Sequence, residues 1–233
     1  MVKPTLKNNG AKNGRKRQVV VIGLGRFGSS VARSLYNLGH DVLAIDTDED
    51  RVQSIMGQVT YPVTGNGTNE TVLRELGIPD YDAAVVAVGT DLVASVMSCV
   101  LLKTMNLPYI VARAHDELHG NTLERIGVDK VIQAESEMGV RIGHALFNPN
   151  LQEYLQLAPN YGFSRLKVPK EWVGQTLKEL GFSGPRGKQG LAVLAVKRAK
   201  DITLNPDNDE RLRDGDILIM AGRDEQIESL TPS

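Results

Sequence analysis

From Gln18 onward the chain alternates between two rhythms of apolar residues. Short runs rich in valine, isoleucine and alanine stand between stretches in which apolar positions recur every three or four residues. The short runs are QVVVIG, DVLAID, TYPVT, AAVVAVG, YIVARA and KVIQA, and each reads as a strand. The clearest helical stretch is Asp91 to Met105, with Leu92, Val93, Val96, Met97, Val100 and Leu101 on one stripe. Three helical stretches close on the pairs Leu38-Gly39, Leu76-Gly77 and Ile126-Gly127, where glycine takes the left-handed cap that stops a helix. Strand–helix alternation with nearly continuous apolar strands predicts a parallel sheet covered on both faces. Six strands between Gln18 and Ala134 amount to one Rossmann-like, doubly wound α/β domain.

The rhythm then changes. ESEMGVRIGHALFNPN is helical, with Met138, Ile142, Ala145 and Leu146 on one face and Pro149 at its end. Beyond it, FSRLKVP and LAVLAVKR read as strands with a short helix, GQTLKELG, between them. DIT, a turn over LNPDNDERLRDGD, the strand ILIMAG and a last short helix follow. Strands joined through turns predict a small α+β lobe with an antiparallel sheet. The expected organisation is a tail over 1–17, a nucleotide-binding domain over 18–149 and a second domain over 150–233.

Composition changes this picture little, and charge somewhat more. Hydrophobic content of 41% and charged content of 24% are those of a soluble globular protein. The longest uncharged apolar run, Leu92 to Leu102, is about half the ~20 residues a membrane-spanning helix needs, so it reads as a buried helix. No apolar signal core opens the chain, and the single Cys99 permits no intrachain disulfide; both fit a reducing cytoplasm. Net charge is −1, but residues 1–17 hold six of the 27 cations and none of the 28 acids. That tail, Lys3, Lys7, Lys12, Arg15, Lys16 and Arg17, reads as a disordered, solvating extension, with attraction to an anionic surface as the sharper alternative. Without an aromatic residue for base stacking, it does not point to nucleic acid.

The candidate chemistry lies at VVVIGLGRFG, where a strand runs into Gly-x-Gly-x-x-Gly and a helix follows. Gly23 permits the tight turn, Gly25 lets phosphate oxygens approach the backbone, and Gly28 lets the helix pack on the strand. The helix start, with Arg26 and Phe27, offers amides and a dipole to an anion. Asp46, 18 residues after Gly28, is placed to accept hydrogen bonds from ribose hydroxyls. Asn66 and Thr68, in the polar loop TGNGTNE, are candidates beside the adenine. These features do not separate NAD from ATP or ADP. Arg26 leans toward a terminal phosphate, which a guanidinium meets bidentately. A small NAD-dependent oxidoreductase is the rival reading, although few residues follow Asn150 to build a substrate domain. HDELH places His115 and His119 at the spacing of a zinc-binding helix, with His144 as a conceivable third ligand, but the stretch directly follows a strand and reads better as a loop and helix cap.

Taken in order, VVVIGLGRFGSSVARSLYNLGHDVLAID, GNGT, DAAVVAVGTDLVASVMSCVLLK, LERIGVDKVIQAE and MGVRIG resemble the RCK domain, the regulator of potassium conductance. LRDGDILIMAG is similar to the RCK C-terminal, or TrkA-C, lobe. The combination resembles the cytosolic gating subunit of Ktr/Trk potassium uptake systems, from Gln18 to about Leu230. The resemblance implies a regulator and not an enzyme. It implies ATP or ADP in the cleft, with NAD in some relatives, bound by Gly23, Gly25, Arg26, Gly28 and Asp46. Arg26 then meets the terminal phosphate, and Glu124 in LERIG sits near it, where a divalent cation can bind. In some relatives the C-terminal lobes bind cyclic di-AMP; here GPRGKQG and Pro206 fall in that region. The resemblance also implies homodimers assembled into an octameric ring under a membrane potassium-translocating subunit, at the inner face of the membrane. An RCK regulator of a different cation channel or exporter stays open.

Overall fold

The computed structural model describes residues 16–182 and 190–230. The chain divides into two compact units, one up to Ala134 and one from Glu135. In the first, β1 (Gln18–Ile22), α1 (Arg26–Asn37), β2 (Asp41–Asp46), α2 (Glu49–Ser54), β3 (Tyr61–Thr64), α3 (Glu70–Glu75), β4 (Ala83–Val86), α4 (Leu92–Thr104), β5 (Ile110–Arg113), α5 (Glu117–Ile126) and β6 (Lys130–Ile132) alternate strictly. The strands form one parallel sheet in the order β3-β2-β1-β4-β5-β6. This is the doubly wound order that the alternation predicts, with the reversal between β1 and β4.

The period of two along each strand sorts the core onto both faces. Val20, Ile22, Leu43, Ile45, Ala84, Val86, Ile110 and Ala112 pack with Leu73, Cys99, Leu102 and Leu123 from α3, α4 and α5. Val19, Val21, Val42, Ala44 and Val85 pack with Ala32, Val52 and Ile55 on the side of α1 and α2. Burial on both faces is why the strands read as apolar runs.

The second unit holds α6 (Ala134–Ala145), β7 (Leu151–Ala158), β8 (Tyr161–Lys167), β9 (Ala192–Arg198), β10 (Asp201–Leu204), β11 (Ile217–Arg223) and α7 (Asp224–Glu228). Its strands form an antiparallel sheet in the order β10-β9-β11-β8-β7. Leu151, Tyr154, Leu166, Val196, Leu218 and Met220 lie at the centre of its core.

Three differences from the expected pattern have local causes. The division falls before α6, not after it, because Ala145 packs on the second core and His144 stacks on Tyr154 at 4.0 Å. Met138, Ile142 and Leu146 stay exposed. β7 was not expected as a strand. GQTLKELG is a single turn and not a helix: Gly174 and Gly181 both take positive φ at its ends, and Thr176 is bridged to Arg211. Of the basic tail, only Lys16 and Arg17 are described; they lie 2.7 Å from Asp41 and 3.8 Å from Asp82. The rest of the tail and most of GPRGKQG lie outside the described residues.

Candidate functional site

The glycine turn sits where β1 ends, at the carboxyl edge of the sheet. Gly23 takes φ +94°, and its amide donates to the Ile45 carbonyl at 2.8 Å. A side chain there would press on the backbone of Ala87, 3.0 Å from its carbonyl carbon. At Gly28 a Cβ would collide with the Gly23 carbonyl oxygen, so α1 crosses the turn only because residue 28 is glycine. Gly25 faces open space and is the N-cap of α1. The side chains of Asp48, Asn69, Asp91 and Asp116 cap α2, α3, α4 and α5. Gly25 supplies no such oxygen, and the first turn of α1 carries no acid. The amides opening α1 therefore keep the demand for an anion that the other four helices of this unit meet internally. Arg26, in that first turn, is exposed.

Asp46, at the end of β2, is 8% exposed. Its Oδ2 accepts from the Leu24 amide at 2.6 Å and its Oδ1 from the Asp48 amide at 2.9 Å. The partly exposed Arg51 guanidinium lies 3.6 Å away. Asp46 thus holds the middle of the glycine turn against β2, a role that its spacing did not reveal. The Asp46 carbonyl accepts from the Gly65 amide at 2.9 Å, which brings the loop after β3 to the same edge. Within that loop, Asn66 Oδ1 accepts from the amide of Thr68 at 2.9 Å and from its hydroxyl at 2.8 Å. The cap of α3 falls to Asn69. Ser98 Oγ donates to the Gly67 carbonyl at 3.1 Å and pins the loop to α4.

Register brings in one residue that sequence reasoning missed. Ile45, Ile22, Val86 and Ala112 form one row across β2, β1, β4 and β5. One residue further along stand Asp46, Gly23, Ala87 and Arg113. The Arg113 guanidinium lies 5.9 Å from the centre of the Phe27 ring. Its only signal in the sequence was its place at the end of a strand, and only the sheet order makes that end part of this edge.

The remaining candidates stand apart from the turn in kind. Glu124 is an exposed carboxylate on α5. Asp116 caps α5 by accepting from the His119 amide at 2.8 Å, and His119 Nδ1 accepts from the His115 amide at 3.1 Å. Burial holds the His119 imidazole below its ordinary pKa. His144 is 2.9 Å from Glu228 in the second unit. HDELH thus forms the loop and cap that opens α5; among the described residues no group of three or more His, Cys, Asp or Glu is placed to hold a metal ion. Burial pushes the Cys99 thiol up to about 12, which leaves it unreactive.

The TrkA-N domain pattern matches residues 19–134, and the TrkA-C domain pattern matches residues 164–233. The chain is 34% identical over 213 residues to "Ktr system potassium uptake protein A" of Bacillus subtilis (strain 168), covering 91% of this chain and 95% of that protein. It is 33% identical to "Ktr system potassium uptake protein C" of the same organism, covering 89% and 92%. The chain belongs to the family of the Ktr system potassium uptake proteins. A Ktr relative from Vibrio alginolyticus, protein A, is 33% identical over 91% of this chain and 94% of its own. The fold of this chain also matches the crystal structure of the GsuK RCK domain, with a TM-score of 0.64 and 18% identity. That match spans 94% of this chain and 48% of the other. The GsuK channel bound to NAD matches equally well, at 0.64 and 18%, over 93% of this chain and 39% of that one.

Proposed function

We propose that this chain is the nucleotide-sensing regulatory subunit of a Ktr-type potassium uptake system, with ATP or ADP held at the glycine turn. The observation that carries the reading is the start of α1, uncapped and without an acid at the crossover of the sheet, with Asp46 bracing the turn. Gly23, Gly25 and Gly28 admit the phosphates. Arg26 and the α1 amides meet them, with Phe27 supporting the helix start. Asp46, Asn66 and Thr68 lie on the nucleoside side. Glu124 supplies a carboxylate for a divalent cation beside the terminal phosphates. The relatives at 33–34% identity are potassium uptake proteins, which supports regulation and not hydride transfer.

The subunit works without chemistry. A ligand shifts a conformational equilibrium only through its difference in affinity for the two states. ATP offers one more phosphate than ADP, and a charge-assisted hydrogen bond contributes ~1.5–3 kcal/mol. A few copies in an octameric ring of homodimers then exceed the ~5.5 kcal/mol that swings a two-state population almost completely. None of the described helices is long and apolar enough to cross a membrane; in this reading the regulator docks on a separate potassium-translocating subunit at the inner face. Cyclic di-AMP at the C-terminal lobe is a further ligand of the proposed regulator.

The test is to purify the tagged protein from membranes, identify the co-purifying subunit, and measure potassium uptake of the reconstituted pair. A potassium-translocating partner whose flux differs between ATP and ADP is expected. A partner of another class, or flux indifferent to nucleotide, contradicts the reading.

A further inference from the structure

An imidazole closes the segment between β5 and α5. The Ala114 amide donates to the Ile132 carbonyl at 2.8 Å, which fixes the end of β5 beside β6. That leaves only His115 and Asp116 before α5 begins at Glu117. His119, in the first turn of α5 and 4% exposed, reaches back across them. Its Nδ1 accepts from the His115 amide at 3.1 Å, and its own amide donates to Asp116 Oδ1 at 2.8 Å. The neutral ring therefore carries its proton on Nε2, which is buried and has no hydrogen-bond partner among the described residues.

This arrangement has no room for a second proton. The proton has to go on Nδ1, where it faces the His115 N–H, donor against donor. The resulting imidazolium is buried as well. Burial, the largest influence, already holds the ring below its ordinary pKa; the Asp116 carboxylate opposes it and His115 adds to it. The charges of the surrounding elements stand away from the ring. Arg113, ending β5, lies over Phe27 on the face covered by α1. Lys103 of α4 reaches Gly127 at the far end of α5, where Lys130 opens β6. Gln133, beside Gly120, is uncharged.

The closed segment lies on the same carboxyl edge as the glycine turn. It begins two residues after Arg113, whose guanidinium is 5.9 Å from the centre of the Phe27 ring. Phe27 follows Arg26 in the first turn of α1. Two residues offer little slack, so opening the segment moves the end of β5 and, through Arg113 and Phe27, the start of α1.

We infer that His119 is a pH-sensing positioning residue of the nucleotide site: its neutral imidazole closes the segment after β5, and protonation opens that segment and loosens the site's hold on nucleotide. This rests on the nucleotide reading of the glycine turn. The sign follows from burial. The folded pKa lies below 6.5, so affinity is whole above pH 6.5 and is lost as pH falls through the folded value.

The test is calorimetric titration of ATP into the full chain from about pH 8 to about pH 5, with circular dichroism at each pH to check folding. His119→Asn puts an amide oxygen near the place of Nδ1, so it keeps the bond to the His115 amide but does not titrate. His115→Asn removes the other imidazole and leaves that backbone amide in place. The ATP affinity of the wild type relative to His119→Asn, a ratio that cancels the titration of ATP itself, should be level above pH 6.5. Below the folded value it should fall by up to about tenfold per pH unit, the limit for one proton. His115→Asn should follow the wild type. A ratio level down to pH 5 overturns the inference, and so does a fall that His115→Asn abolishes. A second measurement needs no variant. By reciprocity, saturating ATP should push the His119 titration, followed by proton NMR, further down, whereas the bare charge of the phosphates would raise it. A His119 titration unmoved or raised by ATP overturns the inference. A wild-type chain that binds no ATP at any pH overturns the nucleotide reading itself, and the role of His119 falls with it.

Discussion

Each unit buries one aspartate beside a glycine turn, and the two are satisfied in opposite ways. Asp216 follows Gly215, is 1% exposed, and meets a matched partner: Arg198 donates from Nε to Oδ1 at 3.0 Å and from Nη2 to Oδ2 at 2.7 Å. The Arg213 amide adds a third bond at 2.9 Å, and Arg198 Nη2 also donates to Glu210 at 3.0 Å. Asp46 has two backbone amides, with the nearest guanidinium, on the partly exposed Arg51, 3.6 Å away. The charge of Asp216 is spent inside its own lobe and closes the turn before β11. The charge of Asp46 instead braces a turn whose helix has neither a side-chain cap nor an acid in its first turn. Asp216 is matched by a guanidinium that donates to both of its oxygens, whereas Asp46 is held chiefly by backbone amides, with Arg51 at longer range.

The largest effect that would break this comparison comes from Asp216→Ala. It leaves Arg198 with only Glu210 and the Arg211 carbonyl and should destabilise the second unit by about 3 kcal/mol, a value typical of breaking a buried pair. Urea denaturation followed by Trp172 fluorescence reads this unit directly, since the chain's one tryptophan packs edge-on against Phe182 there. Loss below ~1 kcal/mol would mean that the pair is not what closes the turn. Asp46→Asn should cost less, about 1–2 kcal/mol, because the amide group must turn a donor toward either Leu24 or Asp48. It should also weaken nucleotide binding about tenfold or more, which Asp216→Ala should not do. Calorimetry on both variants separates the two roles.

Acid sharpens the same contrast. Burial lowers the His119 pKa below 6.5, so the unfolded chain binds more protons in that range, and the first unit is at full strength only above pH 6.5 and weakens as pH falls below it. Burial pushes Asp216 up, but the hydrogen bonds from Arg198 and Arg213 outweigh it and hold the group below 3.8. Its stabilisation is whole above pH 3.8 and is lost as pH falls through the folded value. Between pH 6 and 4, stability by circular dichroism should decline before the Trp172 signal does, and His119→Phe should remove that early decline.

The first unit was legible because both faces of its sheet are buried, which forces apolar runs, and because a positive-φ glycine follows α1, α3 and α5. β7 was not, because its alternation is broken. Register shifts interrupt its pairing with β8, so Leu151 and Tyr154 are buried three residues apart while Leu155 and Leu157 stay exposed. GQTLKELG carries helical spacing, yet two positive-φ glycines bracket only one turn of it. At the site, the glycines and the distance to Asp46 could be read from spacing. The bond from Leu24 to Asp46, the Asn66–Thr68 turn and the approach of Arg113 to Phe27 depend on register and on neighbouring strands, which no local pattern records.

The central claim is that the start of α1 distinguishes one terminal phosphate. It is tested most directly by titrating ATP and ADP separately into the wild-type chain and Arg26→Ala. The account predicts tighter binding of ATP than ADP by the wild type, and a ratio reduced about tenfold in the variant, with ADP still bound. An identical ratio in the two proteins would contradict it.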